Sequence, residues 1–592
     1  MGKTGIRKVV IDPVHQLALE TIQLQKQAII FVSSRASAEK TAEDIANLVS
    51  KSFPELGSFP ELEKEVLKAV ATPTKQCRRL SHIIKKGIAF HHAGLTEPQK
   101  GLIEDHFRKG AIKIICATPT LAAGLSLPAY RVIISSLKRY TGTWGMDWIP
   151  VLEYLQMAGR AGRPEYESEG QAITLAKTAQ EKEDIFQRYI CGVPEEIYSK
   201  LAVEPVLRTY LLSLISSGII RNKKNMQDFF SKTFWARQFQ DMPKLEKIMD
   251  KILGLLQEWQ FITVTGSGTA TGSIAASELV AAAGSAISAL SRGLTGLTKG
   301  PAVVPTSDFV PASTLQRMKP ARSPELSAAS SSSVSSGAAS PASNPIFFPT
   351  TLGRRVSELY LDPLTARAFL DRLEKFTEDK DYFSLIQMIT HSLEMRPLLR
   401  VKAKEQDLLQ EELVKRYHLL LEEEPSAFDQ EYGEFMGSIK TALFFESWIN
   451  ETDEDQLLER FDIRPGEIRV KLESADWLLY ATDELAKAAG SKDAQTIRKA
   501  QQEIRVLRIR VKHGVKEELL QLLKLKGIGR IRARRLFNHG IKDLGDIKKV
   551  DETTLGQILG KMLADSVKKQ VGEEIKEIPK GTRKGQLSME KF

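Results

Sequence analysis

The sequence predicts a multidomain protein in which an α/β domain with a parallel sheet is followed by largely helical domains. Three observations predict this class. The chain has 592 residues, which is more than a single hydrophobic core accommodates. Short apolar runs alternate with amphipathic segments in the N-terminal part, whereas strand-like runs become rare after Ala176. A stretch dominated by Ser, Ala, Gly, Thr and Pro then interrupts the helical part.

Four short apolar runs in the N-terminal part are typical of buried parallel strands. They are Ala28–Val32, Ile88–Phe90, Ile112–Cys116 and Arg131–Ser135. Amphipathic segments at Ala38–Val49 and Glu97–Phe107 lie between these runs and predict helices. Because strands alternate with helices, we expect a central parallel sheet with helices packed against it.

The composition limits the compartment and the partners. Lys and Arg number 84 against 74 for Asp and Glu, and the net charge of +10 suits a polyanionic partner if the charge is clustered. An ordinary soluble surface has the same composition. The cysteines at 77, 116 and 191 lack metal-ligand spacing, so we expect a reducing, cytoplasmic location and no metal site. Leu279–Ser291 is too short for a membrane span of about 20 apolar residues, and we expect no membrane partner.

Residues 265–344 have a composition typical of disorder, because they bury too little apolar surface to offset the loss of chain entropy. The strand-like sequences FITV and IFFPT flank this stretch. The simplest interpretation is a long insertion in the loop of a β-hairpin.

Three segments of the α/β part carry the candidate chemistry: His91–Leu95, Ala117–Ala129 and Gln156–Pro164. In the third, which we call the arginine segment, Arg160 and Arg163 are separated by a small residue and a glycine that allows close backbone approach. An arginine delivered to a transferring γ-phosphoryl group stabilises its developing charge. By itself, the same sequence also fits a basic helix start on a surface.

In this order and spacing, the three segments resemble motifs IVa, V and VI of superfamily-two helicases, and Ala28–Arg35 resembles motif IV. The sequences ATPTLAAGLSLPA and QMAGRAGR are similar to those of the Ski2-like family, in particular its archaeal DNA-repair helicases related to the helicase domain of polymerase theta. The resemblance implies a second RecA-like motor domain in which Arg163 is the arginine finger, assisted by Arg160. The ATP-binding residues that it implies are Gln156, Gly124, Arg160 and Arg163.

The resemblance also implies DNA contacts within the motor domain. The residues assigned to them are Arg35, His92, Gly94, Thr118 and Thr120. Thr118 and Thr120 are expected to contact phosphates, which gives a grip independent of base sequence. Ser126 departs from relatives that often carry Asn, so a contact from this position is left open.

ATP hydrolysis of this class requires a Gly-rich P-loop with Lys and an acidic Walker B strand that holds Mg²⁺. Neither pattern is found in the sequence. In the family, both lie in a first RecA-like domain. We therefore expect ATP and Mg²⁺ to bind between this chain and a separate polypeptide with that domain, or the sequence to be truncated.

Three later segments resemble DNA-handling parts of these helicases. LKRYTGTWGMDWIPVLEY resembles a strand-separating β-hairpin with Trp144 or Met146 near its tip, although a surface loop with packed Trp side chains is the alternative. IRVKLESADWLLYA resembles the ratchet helix, in which Trp477 would stack on a base, although core packing fits equally. Here Val470 occupies a position that is basic in some relatives.

Leu525–Gly540 matches a helix-hairpin-helix, in which glycine N–H groups face a phosphate at a helix N-terminus. Its candidate DNA-binding residues are Gly527, Gly529, Arg530, Arg532 and Arg534. At the C-terminus, Gln586, Met589 and Phe592 have the spacing by which replication proteins bind the sliding clamp (PCNA), although an accidental tail is the alternative.

The predicted architecture is a RecA-like α/β domain followed by a winged helix, a helical bundle and a helix-hairpin-helix. The boundaries are 1–185 for the second RecA-like domain, 186–264 with 345–361 for the winged helix, 265–344 for the insertion, 362–505 for the helical ratchet domain, 506–570 for the helix-hairpin-helix and 571–592 for a flexible tail.

The resemblance implies an ATP-dependent 3′-to-5′ DNA helicase that binds single-stranded and forked DNA and unwinds forked or branched DNA in repair and replication restart. A non-enzymatic DNA-binding accessory and a Ski2-type RNA helicase subunit are the alternatives. Intact Arg160 and Arg163 argue against the first alternative, and the helix-hairpin-helix argues against the second.

Overall fold

The computed structural model describes residues 12–53, 59–70, 73–122, 127–140, 146–162, 169–265, 345–429, 431–490 and 494–576. The chain divides into two compact units. The first unit contains 1–197, 377–480 and 502–592, and the second contains 198–376 and 481–501.

A five-stranded sheet forms the centre of the N-terminal part, and its order is β2-β3-β1-β4-β7 with every neighbouring pair parallel. The strands of the chain are β1 (Ala28–Phe31), β2 (Ile88–His91), β3 (Ile114–Ala117), β4 (Arg131–Ile134), β5 (Lys138–Tyr140), β6 (Met146–Trp148), β7 (Gln171–Thr174), β8 (Ile262–Thr265) and β9 (Ile346–Pro349). β1 to β4 are buried along their whole length, which explains their unbroken apolar sequences. The predicted parallel sheet is confirmed.

Among the described residues, seven helices belong to the same N-terminal part. They are α1 (Pro13–Gln23), α2 (Arg35–Ser52), α3 (Pro60–Lys68), α4 (Lys75–Ile84), α5 (Glu97–Arg108), α6 (Val151–Ala158) and α7 (Ala179–Ile185). The side chain of Ser34 accepts a hydrogen bond from the amide of Ser37, so α2 begins three residues earlier than the apolar pattern predicts. A π-helical turn at Phe186–Ile190 follows α7 directly.

The second unit begins with four helices and a hairpin. These helices are α8 (Glu204–Ser216), α9 (Lys223–Phe230), α10 (Phe234–Phe239) and α11 (Met242–Glu258), and α12 (Thr351–Glu358) and α13 (Pro363–Leu373) follow the hairpin. β8 and β9 pair antiparallel, with Thr265 opposite Ile346, which confirms the predicted hairpin around the insertion. Residues 266–344 lie outside the described residues. Arg208 Nε donates to Asp362 Oδ1 at 2.7 Å in a buried ion pair that joins α8 to the start of α13.

The remaining helices are α14 (Tyr382–Thr390), α15 (Gln406–Arg416), α16 (Tyr432–Ile449), α17 (Glu454–Phe461), α18 (Pro465–Ala489), α19 (Ala494–His513), α20 (Arg530–Asn538), α21 (Leu544–Lys549), α22 (Glu552–Leu559) and α23 (Lys561–Lys576). α18 contains the predicted ratchet segment but is longer, with 25 residues. Residues from Val515 to Val571 form a separate small apolar core under α20 to α23. Among the described residues, no helix is long and apolar enough to span a membrane.

Candidate motor and DNA-binding site

The motor motifs lie at the carboxyl edge of the sheet, where ligands bind in open parallel sheets. Arg35 begins α2 just after β1, His92 follows β2, and Thr118 follows β3. β1, β2 and β3 are neighbours in the sheet, so these three positions converge in space although they are distant in sequence.

Backbone pairing holds the arginine segment against the segment that resembles motif V. The amide of Ala129 donates to the carbonyl of Arg160 at 2.9 Å, and the amide of Gly162 donates to the carbonyl of Ala129 at 2.7 Å. Gly162 has a φ of 96°, and a Cβ on Gly170 would lie 2.3 Å from its nitrogen. The backbone angle explains the predicted need for a glycine at 162, and the close approach explains the glycine at 170.

Arg160 links the two motifs through its side chain as well. Its Nη2 atom donates to the carbonyl of Ala122, and its Nε atom is buried without a hydrogen-bond partner among the described residues. A guanidinium group with a spare buried donor suits an anionic ligand. Gln156 is exposed on the last turn of α6. Arg163, Gly124 and Ser126 lie outside the described residues.

His92 is enclosed by protein rather than exposed to DNA. Its side chain is fully buried, its ring stacks on Phe90 with centroids 5.4 Å apart, and its Nε2 atom lies 3.2 Å from Glu39 Oε1. Burial lowers the pKa of His92 although Glu39 opposes this shift, so the neutral form is favoured. The His92 side chain is therefore enclosed within the protein, and the predicted contact of its loop with DNA stays a prediction.

Glu39 is the centre of a buried charge network that the sequence pattern did not reveal. Burial by itself raises the pKa of Glu39, but the hydrogen bond to His92 and the charges of Arg464 and Arg79 outweigh it and lower the pKa to about 2. Arg464 Nε lies 3.2 Å from Glu39 Oε1, and Arg79 pairs with the other oxygen. The sequence around Glu39 could not predict its pairing with Arg464, because the two residues are 425 positions apart.

Gly94 and Arg35 contact the start of α18. The amide of Gly466 donates to the carbonyl of Gly94 at 3.0 Å, and a Cβ on Gly94 would lie 2.4 Å from Arg464 Cδ. Arg35 forms an ion pair with Glu467. Two residues that the resemblance assigned to DNA therefore contact the start of the ratchet helix in this structure, and their predicted DNA contacts stay predictions.

Thr118 and Thr120 share a hydrogen bond between their hydroxyl groups at 2.9 Å. Thr118 is 8% exposed, whereas Thr120 lies exposed on the turn that follows β3. The Thr118 hydroxyl therefore orients Thr120, and Thr120 is the more accessible candidate for a phosphate contact.

The hairpin between motifs V and VI is formed by β5 and β6, which pair antiparallel with Lys138 opposite Trp148. Met146 is 57% exposed at the described end of β6, whereas Trp144 lies outside the described residues. The Lys138 ammonium group lies 4.2 Å from the Trp148 ring centroid, which fixes this tryptophan at the base of the hairpin.

The ratchet helix α18 presents Trp477 as a half-buried side chain and Tyr480 as a 37% exposed one. The two residues are three positions apart and therefore lie near each other on the helix surface. Arg508 pairs with Asp476 at 2.8 Å and lies 4.9 Å from the Tyr480 ring centroid. Tyr480 was not among the predicted DNA-binding residues, although its three-residue spacing from Trp477 indicates that both side chains lie on the same side of the helix.

Lys471 does not replace the missing basic residue at Val470. Its Nζ atom donates to the carbonyls of Met395 at 2.7 Å and Pro397 at 2.5 Å. Burial lowers the pKa of Lys471 to about 8. The Lys471 amine is therefore hydrogen-bonded within the protein, whereas Val470 is exposed.

The helix-hairpin-helix has the predicted turn, with Gly527 at a φ of 87° and Gly529 preceding α20. Its arginines differ in accessibility. Arg530 donates to the carbonyl of Thr452 at 2.7 Å and lies over Trp448, and Arg534 pairs with Glu451 at 2.6 Å and with Glu518. Arg532 is exposed.

These contacts divide the predicted DNA-binding set of the helix-hairpin-helix. Arg530 and Arg534 are bound within the protein and are only partly accessible, and their predicted DNA contacts stay predictions. Gly527, Gly529 and Arg532 remain accessible. Gln586, Met589 and Phe592 lie outside the described residues, so the clamp-binding prediction is not examined by the structure.

Comparisons with known proteins identify two regions of the chain. The model described as "Helicase conserved C-terminal domain" matches residues 62–165, and the model described as "Archaeal helicase, domain 4" matches residues 383–514. The first match contains the segments that resemble motifs IVa, V and VI, and the second contains the ratchet helix.

Whole-chain relatives are proteins named ATP-dependent DNA helicase Hel308. The protein from Pyrococcus abyssi is 33% identical over 579 residues, which cover 97% of this chain and 67% of the relative. The protein from Methanococcus vannielii is 34% identical over 586 residues, covering 96% of this chain and 69% of the relative. The protein from Pyrococcus horikoshii is 32% identical over 578 residues, covering 97% and 67%. The chain thus spans about two thirds of their length.

Proposed function

Because the chain belongs to the Hel308 family of ATP-dependent DNA helicases, we propose that it forms part of an ATP-driven motor that unwinds DNA. The observation that carries this proposal is the pairing of the arginine segment with the motif V segment, in which Arg160 contacts Ala122 and retains a buried donor. This is the geometry expected of a nucleotide-sensing arginine.

The residues present fit one side of an ATP site. Arg160 and Arg163 would approach the γ-phosphoryl group, and Gln156 would link nucleotide binding to movement of α6. ATP with Mg²⁺ supplies the free energy of hydrolysis, and its P-loop and Walker B residues would come from a first RecA-like domain outside these 592 residues. Arg163, which follows Gly162 in the sequence, is proposed as the arginine finger because the family resemblance assigns that role to this position.

The proposed DNA contacts do not depend on base sequence. Thr120 would donate to a phosphate, Met146 and Trp144 would separate the strands, and Trp477 would stack on a base of the translocating strand. Arg532 with the amides near Gly529 would hold the backbone at the helix-hairpin-helix. Forked DNA as substrate, 3′-to-5′ movement and a role in DNA repair are carried over from the family resemblance.

The test combines binding with hydrolysis. The chain should bind single-stranded and forked DNA but hydrolyse ATP only after a first RecA-like domain of the family is added, and DNA should then stimulate hydrolysis. Robust hydrolysis by the chain alone contradicts the proposed division of the ATP site. Arg160→Ala should reduce hydrolysis in the complete motor, with Arg108→Ala on the surface of α5 as a matched control.

The same assay separates the two alternatives. DNA binding without stimulated hydrolysis in the complete motor indicates a non-enzymatic accessory. Stimulation by RNA but not by DNA of the same length indicates an RNA helicase subunit.

A further inference from the structure

The chain segment after α7 contacts both the hairpin and the helix that leads into the arginine segment. We call residues 186–195 the linker segment. Its π-helical turn contains Tyr189, which is 1% exposed. The Tyr189 hydroxyl donates to the carbonyl of Ile149 at 2.7 Å, directly between β6 and α6.

The ring of Tyr189 packs against residues of both elements. Its centroid lies 5.0 Å from that of Tyr154 on α6 and 6.0 Å from that of Trp148 on β6. Arg188 of the same turn lies 5.8 Å from the Trp148 ring centroid. Single-turn π-helical insertions occur frequently at functional sites, because they turn a side chain toward a particular contact.

Glu195 caps α6 from outside the helix. Its Oε1 atom accepts a hydrogen bond from the Val151 amide at 2.6 Å, and its Oε2 atom accepts one from the Leu152 amide at 3.1 Å. Pro150 precedes the helix and offers no side-chain cap. The hydrogen bond from Val151 lowers the pKa of Glu195, so its carboxylate is ionised near the positive end of α6.

The hairpin and α6 are also joined on their other side. Arg139 of β5 pairs with Glu153 of α6 at 3.0 Å. Only Ile149 and Pro150 lie between β6 and α6 in the chain, and a two-residue connection by itself permits rotation about its backbone bonds. Tyr189 binds the connection between β6 and α6, and Glu195 binds the first turn of α6. Together these contacts fix the angle between the hairpin and α6.

We propose that Tyr189 and Glu195 are positioning residues that couple movement of the arginine segment to the strand-separating hairpin. This inference rests on the proposed function, since it assigns the hairpin and the arginine segment their roles in unwinding. A nucleotide-dependent displacement of α6 would be transmitted to the hairpin more fully when the linker segment, together with the Arg139–Glu153 pair, holds the two elements at a fixed angle.

The test measures base pairs unwound per ATP hydrolysed in the complete motor, together with kcat and KM for ATP on single-stranded DNA. Glu195→Ala should lower base pairs per ATP by about 5-fold to 10-fold, while kcat changes by less than about 2-fold, because the arginines still reach the nucleotide. Tyr189→Phe, which keeps the ring but removes the bond to Ile149, should lower the ratio by a smaller factor. Glu195→Gln keeps an acceptor oxygen and should lie between Glu195→Ala and the wild type.

The control is Asp184→Ala, which removes an exposed carboxylate on α7 that accepts a hydrogen bond from Gln180 of the same helix. The number of base pairs that this variant unwinds per ATP and its melting temperature should both match those of the wild type. Unchanged ratios for both Glu195→Ala and Tyr189→Phe overturn the coupling inference alone. Equal falls in unwinding and hydrolysis overturn it as well, because they indicate a general structural role. A wild-type motor that does not unwind DNA refutes the proposed function and this inference together.

Discussion

Arg160 and Arg163 are predicted to contribute differently to hydrolysis. Arg160 is held by the carbonyl of Ala122, so part of its binding capacity is used within the protein. Arg163→Ala should lower hydrolysis in the complete motor by at least about 100-fold, because an arginine finger contributes roughly 10³ to 10⁵ in rate. DNA affinity, measured by fluorescence anisotropy, should remain within experimental error. Lost affinity with retained turnover would identify Arg163 as a DNA contact.

Glu39 makes stability depend on pH. Its pKa in the folded protein is lowered from 4.5 to about 2, so its stabilising effect is complete above pH 4.5 and is lost as the pH falls toward 2. The difference corresponds to about 3 kcal/mol at neutral pH. His92, whose pKa is also lowered, adds a loss in the same direction once the pH falls below its ordinary value of 6.5.

We therefore expect Glu39→Gln to melt at a lower temperature than the wild type at pH 7, and the difference to narrow as the pH falls from 4.5 to 2. Differential scanning calorimetry across this range measures it. The control is Glu61→Gln, which changes an exposed residue that contacts Lys64 on the surface of α3. A constant difference at all pH values would show that Glu39 is protonated or unpaired.

At the scale of elements, the hairpin of β5 and β6 combines a packed base with an exposed end. Trp144→Ala should reduce unwinding of a forked substrate more than ATP hydrolysis, because a strand-separating residue contacts DNA and not the nucleotide. Both rates are measured on one substrate in the complete motor. Equal reductions would argue against strand separation by this residue.

The hairpin of β8 and β9 predicts that the long insertion can be removed. Thr265 and Ile346 are paired across the hairpin, so a two-residue Asn-Gly turn can join them. Deletion of residues 266–345 with this turn should change the melting temperature little, because the closure of long surface loops contributes weakly to stability. A large decrease would show that the deleted residues stabilise the fold.

The elements of the sheet domain were predictable because their chemistry is local. The four predicted strands are short apolar runs, and the observed β1 to β4 agree with them within about two residues. The environment of His92 was not predictable, because its burial depends on Glu39 and on Arg464, which are far apart in the chain. The sequence likewise could not show which arginines of the helix-hairpin-helix pair with Glu451.

At the scale of the whole molecule, relatives from three archaea confirm the resemblance to archaeal Ski2-like DNA helicases. Relatives that match nearly the whole chain do not support the finer expectation that a separate polypeptide completes it. The domain boundaries stay predictions, since the structural units divide the chain differently: residues 1–197 and 377–480 belong to one unit.

The C-terminal residues predict an association beyond the motor itself. A peptide of residues 586–592 should bind a cognate sliding clamp with weak micromolar affinity, because Met589 and Phe592 would lie on one face of a helical turn. Isothermal titration calorimetry measures the binding, and Phe592→Ala should abolish it. The matched control is Lys591→Ala, a neighbour outside the spacing. Failure of the full chain to bind the clamp would end this hypothesis.

The ion pair of Glu39 with Arg464 has a consequence for biosynthesis. The two residues are separated by 425 positions, and a ribosome that adds roughly 5–20 residues per second needs about 20–85 seconds to connect them. During that interval, Glu39 can pair with Arg79 and His92 but lacks Arg464, and the carbonyl of Gly94 lacks the amide of Gly466. The nascent sheet domain therefore exposes a charge network without one of its arginines and a backbone carbonyl without its donor, and this interval is when a chaperone or an aggregation-prone neighbour has most access to it.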